Sequence, residues 1–147
     1  MRKTTAVEAL GARGDGIAHV DGKPLFVPGV APGDQLTIEN GKVLEVAPGP
    51  QRVAARCPHY EQCGGCSLQH ISDDTFAQWL SVPIERALAQ HGLSAPVRTP
   101  HVSPPKTRRR CVLSARWVGR DVLVGFSAER SHAITDVRDC AILLPAL

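Results

Sequence analysis

Three of the chain's five cysteines fall within ten residues, Cys57-Pro58-His59-Tyr60-Glu61-Gln62-Cys63-Gly64-Gly65-Cys66, and no other feature restricts the fold as tightly. Two thiols separated by two residues, as at Cys63 and Cys66, can serve one metal centre, because the intervening glycines let the backbone turn tightly around it. The chain starts Met1-Arg2-Lys3-Thr4-Thr5 and runs into Val7-Glu8-Ala9-Leu10 rather than into the apolar core of a signal peptide. No apolar run approaches the roughly 18 to 20 residues that cross a bilayer. A cytoplasmic protein with no membrane partner is therefore expected, and in that compartment clustered cysteines bind metal more often than they form bridges. Zinc ribbons usually pair two Cys-x-x-Cys units, whereas here one such unit stands with a cysteine ahead of it and Cys140 far downstream. Three local cysteines plus one remote one is the spacing more typical of an iron-sulfur cube. Zinc stays open, with His59 and His70 as alternative ligands; the competing reading makes them polar surface histidines. Cys111, between Arg110 and Val112-Leu113, reads as a small buried hydrophobe, and Cys140, before Ala141-Ile142-Leu143-Leu144, has core burial as its alternative.

The rest of the chain reads as short strands. With 13 Gly, 12 Pro and 4% aromatics in 147 residues, turns must be frequent, while 43% hydrophobic and 21% charged residues permit a packed core. Strands are expected over residues 7–12, 17–20, 23–27, 34–39 and 42–47, with hairpin turns at Asp21-Gly22 and Asn40-Gly41. Five short strands in about 45 residues make a small closed barrel, the plan on which oligonucleotide-binding folds are built. Residues 48–72 lack periodicity. Ser72 then caps a predicted helix carrying Asp73 and Asp74 in its first turn, with Phe76, Leu80, Ile84 and Leu88 on one stripe and Gly92 at its end. Pro83 predicts a kink or restart near Ser81. Strands are expected again over 111–118, 122–126 and 131–137. The fold class is β-rich α+β: a five-stranded barrel over residues 1–52, then a cysteine loop, one helix and a partial antiparallel domain over 53–147.

Charge is uneven. The chain carries +3 overall, but residues 1–50 hold five basic and six acidic side chains, whereas 97–120 hold seven basic and no acidic ones. Within that stretch Lys106, Arg108, Arg109 and Arg110 are candidates to contact the phosphates of an RNA. Of the 17 cations 13 are Arg, whose planar fork suits phosphate, although a GC-rich genome also replaces Lys by Arg. Phe26, Tyr60 and Trp117 are candidate stacking platforms, with core packing the commoner fate of Phe26 and Trp117.

The blocks Arg56-Cys57-Pro58, Cys63-Gly64-Gly65-Cys66-Ser67-Leu68-Gln69-His70 and Asp139-Cys140-Ala141-Ile142-Leu143-Leu144-Pro145 resemble the iron-sulfur RNA (uracil-5-)-methyltransferases, the branch acting on 23S ribosomal RNA. Gly14-Asp15-Gly16-Ile17-Ala18, Leu25-Phe26-Val27-Pro28-Gly29 and Pro32-Gly33-Asp34 resemble the TRAM domain that opens those proteins. The resemblance implies that Cys57, Cys63, Cys66 and Cys140 hold a [4Fe-4S] cluster, that Lys106 to Arg110 lie in an arginine-rich RNA-binding motif, and that the partner is 23S rRNA. It implies a C-terminal domain that binds S-adenosylmethionine and supplies a cysteine nucleophile. No such motif lies in these 147 residues, so the chain reads as the N-terminal part of such an enzyme, monomeric and inactive alone. The rival from another class is a stand-alone TRAM RNA-binding module with a structural four-cysteine metal site, iron-sulfur or zinc.

Overall fold

A computed structural model describes residues 1–129 and 131–147. The chain forms two compact units, residues 1–54 with 70–101 and residues 55–69 with 102–147.

The first unit holds six short strands, β1 (Arg2–Ala6), β2 (Ala9–Leu10), β3 (Gly16–Val20), β4 (Lys23–Val27), β5 (Gln35–Glu39) and β6 (Lys42–Ala47). They pair antiparallel in two three-stranded sheets, ordered β1-β5-β6 and β2-β3-β4. The first strand begins at Arg2 rather than at the expected residue 7, and Val7 and Glu8 are where the chain passes between sheets. The Val7 N–H donates to the Asp34 carbonyl at 2.8 Å and the Glu8 N–H to the Ile17 carbonyl at 2.8 Å. The polar run Arg2-Lys3-Thr4-Thr5 has no alternation to betray a strand; pairing with β5, Thr4 opposite Thr37, makes it one. Both hairpin turns form as expected. Asp21 and Gly22 have φ of 52° and 75°, Asn40 and Gly41 of 50° and 75°, the left-handed pair that a tight two-residue hairpin demands. Ala18 and Val27 from one sheet meet Leu36 and Ile38 from the other in one buried cluster with Val7 and Val30.

Asp34, just before β5, has no solvent-exposed surface, yet it is fully satisfied. Its carboxylate accepts from the Ala31 N–H (2.7 Å), the Gly49 N–H (2.8 Å) and Arg52 (Nη2, 2.5 Å), whose Nη2 also donates to the Gly29 carbonyl (2.9 Å). Burial would push its pKa up, but the Arg52 and backbone hydrogen bonds outweigh burial and hold it below the usual carboxylate value.

Helix α1 (Asp73–Gln90) follows the sequence closely at its ends. Ser72 caps it, its hydroxyl accepting from the Thr75 N–H at 3.3 Å, and Asp73 and Asp74 complement the positive end of the helix dipole. Gly92, with φ of 66°, follows its last turn. The helix runs unbroken through Pro83 rather than restarting, because the ring removes only one backbone donor from an 18-residue helix. It is tied to the barrel strands by Trp79, whose Nε1–H donates to the Gly11 carbonyl at 2.8 Å. His70, expected on the surface, is buried, and its ring hydrogen-bonds with the Val30 backbone. Burial lowers its pKa from the ordinary histidine value.

The second unit contains an antiparallel meander of β7 (Ser114–Val118), β8 (Asp121–Ser127) and β9 (Ile134–Asp136). β7 and β9 are shorter than expected and β8 is longer. Residues 111–113 lie outside the sheet, so Cys111 is half-exposed rather than buried, beside a nearly bare Val112. Trp117 is 73% exposed and Phe26, in the first unit, 58%, so neither is a core residue. No helix among the described residues is long and apolar enough to cross a membrane.

Candidate metal centre

The cysteine loop is fastened to the ends of β8 and β9. The Gly64 N–H donates to the Ser127 carbonyl at 2.9 Å, Cys63 pairs with Ala128 in an isolated antiparallel bridge, and the Thr135 hydroxyl donates to the Gln62 carbonyl at 3.1 Å. The two glycines are required here for a reason other than the tight turn expected. Neither has positive φ, but a Cβ on Gly64 would stand 2.7 Å from the Ser127 oxygen. One on Gly65 would press at 3.3 Å on both the Phe126 ring and the Cys63 sulfur. The strand end leaves no room for a side chain at Gly64, while at Gly65 the ring and the sulfur would have to yield by a few tenths of an ångström, so glycine lets the loop lie against them.

The fourth cysteine arrives on a separate segment. The Lys106 N–H donates to the Ala141 carbonyl and the Arg108 N–H to that of Ile142, both at 3.0 Å. The Leu144 N–H returns a bond to the Arg108 carbonyl at 3.0 Å, and Arg108 forms a parallel bridge with Leu143. The backbone of the basic stretch therefore fixes the segment that carries Cys140.

These two attachments bring Cys57, Cys63, Cys66 and Cys140 to the wall of one cavity. Phe126, Val137, Ile142 and Leu143 supply apolar lining, and His59, Gln69 and Arg108 also border it, whereas Cys111 and His70 do not. Burial raises the pKa of the Cys66 thiol, the nearby Cys140, Cys63 and Cys57 sulfurs raise it further, and the Gln69 amide opposes them. Four thiols converging on one partly apolar wall are a donor set that a cationic centre would convert to thiolates. Among the described residues, no three Cys, His, Asp or Glu side chains are gathered for a single metal ion. Two donors already face sulfur or steady the loop: the Gly65 N–H reaches the Cys63 Sγ at 3.4 Å, and the Cys57 N–H donates to the Gln69 Oε1 at 3.0 Å.

The four basic candidates separate. Lys106 has φ of 61° and its Nζ binds Asp139 Oδ1 at 2.5 Å, which lowers the Asp139 pKa; Arg108, Arg109 and Arg110 are all exposed, and of the three only Arg108 borders the cysteine cavity. Tyr60 is half-buried, its hydroxyl donating to the Ser67 carbonyl at 2.7 Å. Sequence reasoning missed Gln69 and Phe126 as parts of the site. Gln69 had a signal, three residues after Cys66; Phe126 is brought by the sheet and had none.

The barrel strands are a TRAM domain: the TRAM family model matches residues 4–49. Beyond the barrel, the chain is a homologue of RNA methyltransferases across nearly its whole length. It is 37% identical over 149 residues to an uncharacterized RNA methyltransferase of Caulobacter vibrioides, covering 96% of this chain and 36% of the relative. It is 39% identical over 160 residues to the 23S rRNA (uracil(1939)-C(5))-methyltransferase RlmD of Methylococcus capsulatus (96% and 35%). To the protein of the same name in Bordetella pertussis it is 38% identical over 159 residues (96% and 34%). The chain thus spans about a third of the length of these relatives and corresponds to their N-terminal portion.

Proposed function

We propose that this chain is the RNA-binding and [4Fe-4S]-binding portion of an S-adenosylmethionine-dependent RNA uracil-C5 methyltransferase acting on 23S rRNA. The observation that carries the reading is the cavity walled by Cys57, Cys63, Cys66 and Cys140. Three local cysteines with one remote one match the spacing of an iron-sulfur cube more than the paired Cys-x-x-Cys units of zinc ribbons. When bound, the cluster supplies a four-point cross-link; carbon methylation at uracil C5 is polar chemistry and requires no electron from it. The chain's own part is to hold RNA. The TRAM barrel offers a surface, and the exposed Arg109 and Arg110 offer phosphate contacts beside the segment that bears Cys140. Methyl transfer itself is assigned to the family's C-terminal domain, whose S-adenosylmethionine and nucleophile motifs do not lie within residues 1–147.

The test is anaerobic purification followed by an absorbance spectrum and iron, sulfide and zinc analysis. About four iron and four sulfide per chain, lost in Cys140→Ser, is the expected result; one zinc without iron overturns the cluster. Tighter, salt-sensitive binding of a 23S rRNA fragment than of transfer RNA is expected for the RNA half of the reading.

A further inference from the structure

Gln69 is held by one end of its amide. Its Oε1 accepts the Cys57 N–H at 3.0 Å, and because a backbone N–H can only donate, that bond fixes which end of the amide is oxygen. The other end, Nε2, is buried and within bonding geometry of no acceptor, although the residue borders the cysteine cavity and its amide is felt at the Cys66 thiol. A buried amide nitrogen left without an acceptor loses its hydration with nothing in return, so a native structure rarely keeps one idle. What the cavity lacks is a strong acceptor for those protons, and a cluster carrying thiolates and sulfides is rich in them. The Gly65 N–H already points at the Cys63 Sγ at 3.4 Å, so a second donor toward sulfur has a precedent within the same loop.

Resting on the cluster reading above, we infer that Gln69 is a positioning residue for the iron-sulfur centre: its Oε1 steadies the Cys57 backbone while its Nε2–H donates to a cluster or thiolate sulfur. Donors to sulfur stabilise the more negative, reduced state and so raise the reduction potential. Gln69→Glu keeps the oxygen that Cys57 needs and nearly the same volume, but replaces the donor with a carboxylate. Gln69→Met keeps the length and removes both functions.

The experiment is an electron paramagnetic resonance redox titration at pH 8.5 of the full chain, wild type and both variants, each purified anaerobically with iron and sulfide counted. The expected result is a lower potential in both variants, lowest in Gln69→Glu. Equal potentials in three proteins that each hold four iron would overturn the role of Gln69 and leave the cluster standing; a wild-type chain without iron would overturn the cluster itself. To cover a variant that fails to load, wild-type chain labelled with ¹⁵N only in the glutamine side-chain amides is measured as well. Pulsed resonance of its reduced cluster should show a coupled amide nitrogen, and absence of that coupling counts against the inference without any variant.

Discussion

The two units solve the problem of staying folded by different means. Of the eleven buried hydrophobic side chains among the described residues, nine lie in the unit built on the barrel and only Ala141 and Leu143 in the cysteine unit. The barrel has what a small domain needs: a cluster drawn from two sheets, and a buried carboxylate answered by Arg52 and two backbone donors. The cysteine unit has roughly sixty residues, a three-stranded meander whose outer strand is exposed throughout, and an isolated bridge at each of its cysteine-bearing segments. Segments of that size with so little apolar burial rarely hold themselves together without a metal or a covalent link. The lesson is that four thiols stand in the second unit where Leu36 and its neighbours stand in the first.

The comparison breaks most sharply at Cys140. If a cluster joins the loop at Cys66 to Cys140, the closed segment is 74 residues long, and by analogy with a disulfide its closure is worth about 4 to 5 kcal/mol. Cys140→Ser should make residues 102–147 the first sites of limited proteolysis while the barrel unit stays resistant. Equal resistance of wild type and variant would mean that the second unit is held by its own hydrogen bonds.

The mirror experiment lies in the barrel. Asp34→Ala leaves Arg52 and two backbone N–H groups without their acceptor, and breaking a buried pair in this way costs about 3 to 5 kcal/mol. Chemical denaturation should show that loss in the barrel unit, with metal content unchanged. A variant that loses metal along with the barrel would show that the two units are not independent in stability.

How much of this was open to sequence reading depended on the range of the interaction. Turns and caps were legible because their causes lie within four residues: Asn40-Gly41 must supply left-handed φ, and Ser72 must reach the Thr75 N–H. Three of the cysteines stood out by their local spacing, whereas Cys140 joined them only through the family resemblance, and the structure brings all four to one cavity. β1 was not, because its polar residues become a strand only against β5. Trp117 and Val122, paired across β7 and β8, alternate as strand residues should, yet both point outward. Periodicity says that two faces exist, and only the neighbours decide which is covered. His70 was misplaced on the same ground: a polar side chain three residues before a helix says nothing of the Val30 backbone that buries with it.

The units should also differ in acid. His70 has a folded pKa lowered by burial, so the unfolded chain binds the extra proton first, and stability present above the ordinary value of 6.5 is lost as pH falls below it toward the folded value. Asp34 is likewise lowered, so its contribution is present above 3.8 and disappears as pH falls through its folded value. Barrel stability should therefore decline in two steps, with the first removed by His70→Gln. A single step near 4 in the wild type would mean that His70 is not the group that resists the proton.

The smallest effect expected separates the basic residues. Lys106 is paired with Asp139, and Arg108, exposed like its two neighbours, is held through its backbone and borders the cysteine cavity, which Arg109 and Arg110 do not. If the exposed pair binds RNA phosphates, each alanine substitution should lower the slope of log affinity against log salt by about 0.7 to 1, weakening binding of different RNA sequences to a similar extent. Arg109→Ala and Arg110→Ala should leave metal content and proteolysis as in the wild type, because neither side chain borders the cysteine cavity. Arg108→Ala offers the contrast within three residues. Of the three arginines it alone borders the cavity, so a change in metal retention with little change in salt slope would assign its side chain to the cysteine site, and the reverse would return it to the RNA surface.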